Sequence, residues 1–250
     1  MQHLMGLVRR CVDDYQMIEA GDRIAVGVSG GKDSLALLAL MAGLRQYYPR
    51  PFELAAITID MGMGMDFGPV EAYCKALGVP YTCVKTEIGP IIFDVRKEKN
   101  PCSMCAKMRR GALNDALKAQ GFNKIALGHH YDDAVETFLL SLFYEGRLSC
   151  FQPVTYLSRM DVTQIRPMLY IGEKAVESFT RRQNLPVVEN RCPADKSTKR
   201  QEVKDLLAAL QKQYPDLKTK IFGAMQRLPL PEWGPVNPPH GRSRVPQGEG

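Results

Sequence analysis

The chain has 250 residues, of which 45% are hydrophobic and 24% charged, with a net charge of +6; it is long enough for one large domain, or a domain with an appendage, around a proper core. No run of about 18 apolar residues occurs, which excludes a membrane-spanning helix, and the opening Met1-Gln2-His3-Leu4-Met5-Gly6 lacks the long apolar stretch of a signal peptide. Seven cysteines, an odd number spread along the chain, do not make a secreted disulfide scaffold and point to a reducing cytoplasm.

In chain order, runs rich in Val, Ile and Ala alternate with helical patterns. Arg23–Ser29, Glu53–Asp60, Tyr81–Lys85 and Lys124–Gly128 read as strands, and Lys32–Arg45, Gly68–Leu77, Ala106–Gln120 and Asp132–Phe143 as helices. Strands apolar throughout and separated by helices predict an α/β fold, a parallel sheet with helices on both faces. After Phe143 a short loop region leads to Gln164-Ile165-Arg166-Pro167. A helix from about Gly172 to Gln183, an apolar Leu185–Val188 step, the Arg191-Cys192-Pro193 turn and helices near Lys199–Gln213 and Asp216–Gln226 follow. We expect 1–165 to form the α/β domain, 166–228 a basic, mainly helical region, and 229–250 a mobile Pro- and Gly-rich tail.

The first chemistry-bearing motif is Ser29-Gly30-Gly31-Lys32-Asp33-Ser34, between a strand and a helix. Adjacent glycines allow a tight turn whose N–H groups, with the helix N-terminus, face an anion. Ser29 and Ser34 add hydroxyl donors and Lys32 a charge, while Asp33 would repel a phosphate unless Mg²⁺ stood between them. The motif is not a Walker A loop, because Gly27 stands one residue too close to Gly31-Lys32 and Asp33 follows the lysine. A bare Gly-Gly turn would need neither the lysine nor the acid.

Pro101-Cys102-Ser103-Met104-Cys105 opens a helical stretch, where the N-terminus and nearby Lys97, Lys99, Lys107 and Arg109 favour thiolates. Such a pair suits a metal, an Fe–S cluster or redox chemistry, and alone it is weak. Third-ligand candidates are Cys192, Cys150, Cys83, Cys74 and Cys11; Cys192, in a polar turn, is the better one, since Cys83 and Cys74 lie where buried thiols are usual. Leu127-Gly128-His129-His130-Tyr131-Asp132-Asp133 puts two carboxylates at a helix start. Capping would explain one of them; the other suits Mg²⁺ or general-base work. The two histidines read as structural or substrate-positioning.

Charge is unevenly placed. Residues 1–165 hold 18 basic and 18 acidic side chains, whereas 166–227 hold 13 basic and 7 acidic. That excess suits a polyanion of tRNA size, although a solvated helical face would look the same.

These motifs, with Ala106–Gly111 and Ile165-Arg166-Pro167, resemble the PP-loop ATP pyrophosphatase superfamily, specifically the tRNA 2-thiolation (TtcA/TtuA-like) family, over about Met17 to Leu207. The compact 2-thiocytidine type is nearer, because terminal zinc ribbons are lacking. The resemblance implies ATP bound on Val28, Ser29, Gly30, Gly31, Lys32, Asp33 and Ser34, with its adenosine near Ile57–Asp60, Ile59 included, and Gly128. It also implies Asp33 and Asp133 handling Mg²⁺ or base activation, and a [4Fe–4S] cluster on Cys102, Cys105 and Cys192. A tRNA pyrimidine C2 oxygen, cytidine by the nearer type, would be adenylated with loss of pyrophosphate and then replaced by sulfur. The implied partners are tRNA and a sulfur donor (sulfide, a cysteine desulfurase or a sulfur carrier); a homodimer stays open. Two other readings compete: a tRNA(Ile)-lysidine synthetase-like ligase, which has no need of Pro101–Cys105, and a non-enzymatic redox-responsive RNA-binding protein. Cys192, single in Asn190-Arg191-Cys192-Pro193, and the lysine-rich Asp195–Lys204 depart from the family pattern and leave the substrate less defined than the chemistry.

Overall fold

The computed structural model describes residues 1–95, 101–189, 191–192 and 199–227. The elements are α1 (Gln2–Asp14), β1 (Arg23–Gly27), α2 (Lys32–Arg45), β2 (Glu53–Asp60), α3 (Gly68–Ala76), β3 (Tyr81–Lys85) and a helical turn α4 (Ile88–Pro90) that runs into π-helical Ile91–Val95. Then come α5 (Pro101–Ala119), β4 (Lys124–Ala126), α6 (Tyr131–Leu140) continuing as π-helical Ser141–Glu145, β5 (Val154–Leu157), β6 (Val162–Ile165), α7 (Glu173–Arg182), α8 (Lys199–Gln211) and α9 (Leu217–Arg227).

Six strands form one sheet in the order β3-β2-β1-β4-β6-β5. Every pair is parallel except the β5–β6 hairpin at one edge. Strand β1 lies inside the sheet, and its Ile24, Ala25 and Val26 are all fully buried, as expected for a strand covered on both faces. Helix α2 is apolar around most of its circumference, with Leu35 through Ala42 and Leu44 buried, because α1 and α7 pack on it from outside while β1 and β2 lie beneath.

From β1 the chain winds outward through β2 to β3, then crosses back to β4 on the other side of β1. A crevice therefore opens beyond the carboxyl ends of β1 and β4, the place where open α/β sheets bind ligands. Helices α8 and α9 pack on α6 and on each other at the rim of that crevice. Among the described residues no helix is long and apolar enough to cross a membrane.

The expected strands and helices form, with three differences. The Arg23–Ser29 and Lys124–Gly128 strands end earlier, at Gly27 and Ala126, since the residues beyond them turn into the crevice. Helix α5 begins at Pro101 rather than Ala106, which puts Cys102 and Cys105 inside its first turns. Helix α1, the helical Ile88–Val95 stretch and the β5–β6 hairpin occupy stretches for which no element was expected. The 229–250 tail lies outside the described residues.

Candidate active site

The loop after β1 is built by its own side chains. Gly30 has φ of +84°, a backbone that a side chain would strain, and a Cβ there would stand 2.9 Å from Val188 Cβ. Val188 donates its N–H to Gly30 O at 2.9 Å, so the Leu185–Val188 step buttresses the loop. The Ser34 hydroxyl donates to Gly31 O at 2.9 Å and accepts from the Ser29 N–H at 3.1 Å. Val28 is locked by its N–H to Ile57 O at 2.8 Å and by Thr58 Oγ1 donating to Val28 O at 2.7 Å. Ile59, half-buried on β2, lines the apolar surface beyond. The Gly31 N-cap has no side-chain cap, which leaves N–H groups of the first turn of α2 for an anion.

The loop after β4 comes up against this one: a Cβ on Gly128 would lie 3.1 Å from Asp33 C and O and from Ser34 N. A side chain there would crowd the backbone of the Ser29–Ser34 loop. His130 caps α6 in a capping box, its Nδ1 accepting from Asp133 N–H at 3.4 Å while Asp133 Oδ2 accepts from His130 N–H at 3.0 Å. Because Nδ1 accepts, the proton of the neutral ring sits on Nε2, and that edge faces Asp33 Oδ1 at 3.7 Å. One imidazole thus separates the two carboxylates expected to act together.

Both acids of Asp132-Asp133 do capping work, contrary to the expectation that capping explains only one. Asp132 Oδ2 accepts from the Glu173 N–H, the first residue of α7, at 2.6 Å, and its Oδ1 accepts from Lys218 Nζ at 2.6 Å. Burial works against the Asp132 carboxylate, yet Lys218 and the Glu173 N–H hold its pKa below the usual value.

Charge around the crevice forms a continuous circuit. Lys32 Nζ lies 2.8 Å from Asp33 Oδ1 and 3.3 Å from Glu173 Oε1, and Glu173 Oε2 lies 2.7 Å from Lys204 Nζ. Arg200 Nη1 meets Asp133 Oδ1 at 2.8 Å and Glu136 Oε2 at 3.7 Å. Glu136 is 3% exposed, and its Oε1 has no hydrogen-bond partner among the described residues. Burial pushes its carboxyl up to about 7, against the pull of Arg200 and Lys204. None of Glu136, Glu173, Arg200 and Lys204 was expected from sequence, since acids and bases within helices carry no motif; only the i, i+4 spacing of Arg200 and Lys204 hinted at a shared face.

His129 points away from His130 and stacks on Phe151 with centroids 4.8 Å apart. The same ring carries the Arg166 guanidinium at 4.9 Å. Burial, with Arg166 next, pushes the His129 pKa down to about 4. Arg166 is itself buried and bonds Gln152 O, Thr155 Oγ1 and Gln164 Oε1, so it ties the two strands of the β5–β6 hairpin and the residue leading into it together.

The thiols gather at the other side of the β2 end. Cys105 Sγ is 3.4 Å from Met61 Sδ, against an apolar cluster that includes Ile88, Ile92, Met63, Met104 and Met108. Burial raises the Cys105 thiol pKa, Arg109 lowers it, and Cys192 and Cys102 raise it further. Cys102 and Cys192 thus both lie within electrostatic reach of Cys105. Among the described residues no trio of His, Cys, Asp or Glu closes into a metal-holding group. Lys97 and Lys99 lie outside the described residues. Of the other candidates, Cys11 and Cys74 are buried, and Cys150 bonds Ala134 O at 3.4 Å.

A crevice at the β1/β4 switch point, floored by a Ser-Gly-Gly loop with Lys and Asp, defines a nucleotide-binding α/β protein of the PP-loop class. The chain belongs to the PP-loop family, whose domain model matches residues 7–210. It is similar to proteins named tRNA-cytidine(32) 2-sulfurtransferase: 39% identical over 232 residues to that of Pelobacter propionicus, covering 91% of this chain and 85% of the relative. The Geobacter sulfurreducens relative of the same name is 39% identical over 226 residues, covering 89% and 88%. Among solved structures it is similar to the U34-tRNA thiolase NcsA from Methanococcus maripaludis with its [4Fe-4S] cluster, with a TM-score of 0.71 and 26% identity over 88% of this chain and 75% of that one.

Proposed function

We propose that the chain is an ATP-dependent tRNA cytidine 2-sulfurtransferase, and the observation that carries this is the pairing of the crevice with a Cys102/Cys105 helix start that has Cys192 within electrostatic reach of Cys105. An oxo group on a pyrimidine is a poor leaving group, and conversion to an AMP ester makes it a good one. The N–H groups of Ser29–Ser34 and the Lys32 ammonium receive the phosphates of ATP, with the adenosine over Ile59 and against Gly128. The C2 oxygen of the cytidine attacks the α-phosphorus, pyrophosphate leaves, and incoming sulfur then displaces AMP from C2.

Asp33 and Asp133 are hard oxygen donors on opposite edges of the His130 ring, and they suit Mg²⁺, which would screen the phosphates from the two acids. The thiols suit an Fe–S cluster: soft donors, three in number, beside a methionine-lined surface that excludes water, with Arg109 offsetting negative charge. A [4Fe–4S] cluster on Cys102, Cys105 and Cys192 would keep one iron open to a sulfur ligand and so supply sulfur at the site. The exposed basic side chains of 166–227, with Arg181, Arg182 and Lys199 among them, would meet the tRNA backbone. We place the nucleotide-binding part in 1–165 and the RNA-facing part in 166–228.

Anaerobic purification and reconstitution test this reading. The expected product is brown, iron-containing protein whose colour is lost in Cys102→Ala and which restores 2-thiocytidine to tRNA from a strain lacking the gene, read by nucleoside mass spectrometry. Colourless, iron-free protein after reconstitution, or a thionucleoside profile the gene does not change, would overturn it.

A further inference from the structure

Two ammonium groups converge on a single carboxylate beside the glycine loop. Glu173 gives one oxygen to Lys32 at 3.3 Å and the other to Lys204 at 2.7 Å. The two lysines come from α2 and α8, far apart in sequence; Lys32 also meets Asp33 at 2.8 Å, and Glu173 is the carboxylate that the two ammonium groups share. Burial opposes the Lys204 ammonium and so does repulsion from Lys32, while Glu173 outweighs both and holds its pKa up. One turn back along α8, Arg200 spans Asp133 Oδ1 at 2.8 Å and Thr137 Oγ1 at 3.2 Å. The side chains of Arg200 and Lys204 stay 43% and 39% exposed, so each retains donors free to face solvent or a ligand.

Two lysines held by one bidentate anion next to an unsatisfied helix N-terminus have the composition of a polyphosphate site, with a carboxylate standing where a phosphate would be. A nucleotide triphosphate brings more negative charge than Glu173 and Asp133 together, and brings it to the same cations. We propose that Lys204 and Arg200 of α8 bind the β- and γ-phosphates of the nucleotide, completing from the C-terminal side the anion site opened by Ser29–Ser34, and that Glu173 holds the phosphate position between Lys32 and Lys204 until nucleotide displaces it. This rests on the ATP reading above. It gives α8 a direct part in the pyrophosphate-forming step, and makes Glu173 an internal competitor of the substrate.

Equilibrium binding of Mg²⁺–ATP, AMP and inorganic pyrophosphate to the full chain tests it. Lys204→Ala and Arg200→Ala should each weaken ATP and pyrophosphate by about tenfold, a change equivalent to one charge-assisted hydrogen bond, and leave AMP within about twofold, since AMP lacks the phosphates concerned. Lys204→Arg should recover most of the loss. Glu173→Gln should bind pyrophosphate more tightly than the unaltered chain, which a purely structural role for Glu173 would not produce. Pyrophosphate affinity unchanged in Lys204→Ala, a parallel fall in ATP and AMP, or weaker pyrophosphate binding in Glu173→Gln would overturn the proposal. An unaltered chain that binds AMP and ATP alike would also overturn it while leaving nucleotide binding intact. A chain that binds neither would remove the ATP reading itself.

Discussion

His130 holds the two acids of the crevice apart and in place. Its Nε2 edge faces Asp33, and its Nδ1 takes part in the capping box that fixes Asp133. Each carboxylate is also balanced by a cation, Asp33 by Lys32 and Asp133 by Arg200. Asp33→Ala should therefore lower ATP-dependent pyrophosphate release in the presence of tRNA by about a hundredfold or more, the scale of a group acting on the reacting atoms. Release assays with folded variant check this, and unchanged release would place the chemistry elsewhere. At this scale the sequence was informative for Ser29–Ser34 and Gly128, whose residue types leave few alternatives once a strand precedes them. It misled at Asp132. Adjacent acids look equivalent on paper, but one caps the distant α7 and the other its own helix, and only the packing of α7 against the crevice separates them.

Helix α6 carries an unusual buried acid. Glu136 faces Arg200 and Lys204 of α8, with Asp133 of its own helix and Glu173 of α7 adding negative charge, and its carboxyl is pushed up to about 7. A carboxyl with a folded pKa above its unfolded one binds more protons folded than unfolded, so its contribution to stability is full below the unfolded value and is lost as pH rises through about 7. His129 acts in the opposite sense: its pKa is down at about 4, so it costs stability as pH falls below the ordinary histidine range. Glu136→Gln should abolish the loss between pH 5 and 7 and leave the acid-side loss due to His129, giving a chain whose stability rises monotonically over that window. Urea titrations at a series of pH values would read this, and a variant with the same pH profile as the unaltered chain would refute the assignment.

Elements were legible where periodicity is long. Helix α2 and strands β2 and β3 match their expected bounds because both faces are buried, or because turn residues close both ends. The β5–β6 hairpin did not show, although Val154-Thr155-Tyr156-Leu157 and Val162-Thr163-Gln164-Ile165 are β-rich. Each strand is four residues, too short to display alternation, and the Asp161 turn residue with φ of +53° carries no glycine to mark it. Helix α1 was missed for a different reason. Its buried Leu4, Val8, Cys11 and Val12 have helical spacing, but their meaning depends on α2, whose outer face they cover.

At the scale of the whole molecule, the basic excess of 166–227 divides into two populations. Arg200, Lys204 and Lys218 turn inward and pair with Asp133, Glu173 and Asp132, and Arg166 is buried among neutral partners. The first three offset the acids of the crevice. Exposed basic side chains remain, Arg181, Arg182 and Lys199 among them, and reversing the charge of these three should weaken tRNA binding with a salt slope shallower by about two to three units. Filter binding across a salt series checks it; an unchanged slope would return this surface to a solvated helical face.

By itself the sequence determined the alternating α/β order and the glycine loop after β1, because each rests on local steric and chemical demands that a few neighbouring residues settle. It did not determine which charges meet. Lys32, Glu173 and Lys204 are brought together by the packing of α7 on α2 and of α8 on α6, and the circuit around the crevice exists only after those helices dock. Ion pairing depends on distance and burial in three dimensions, so side chains that read as an ordinary basic stretch became, once folded, the counter-charges of the site.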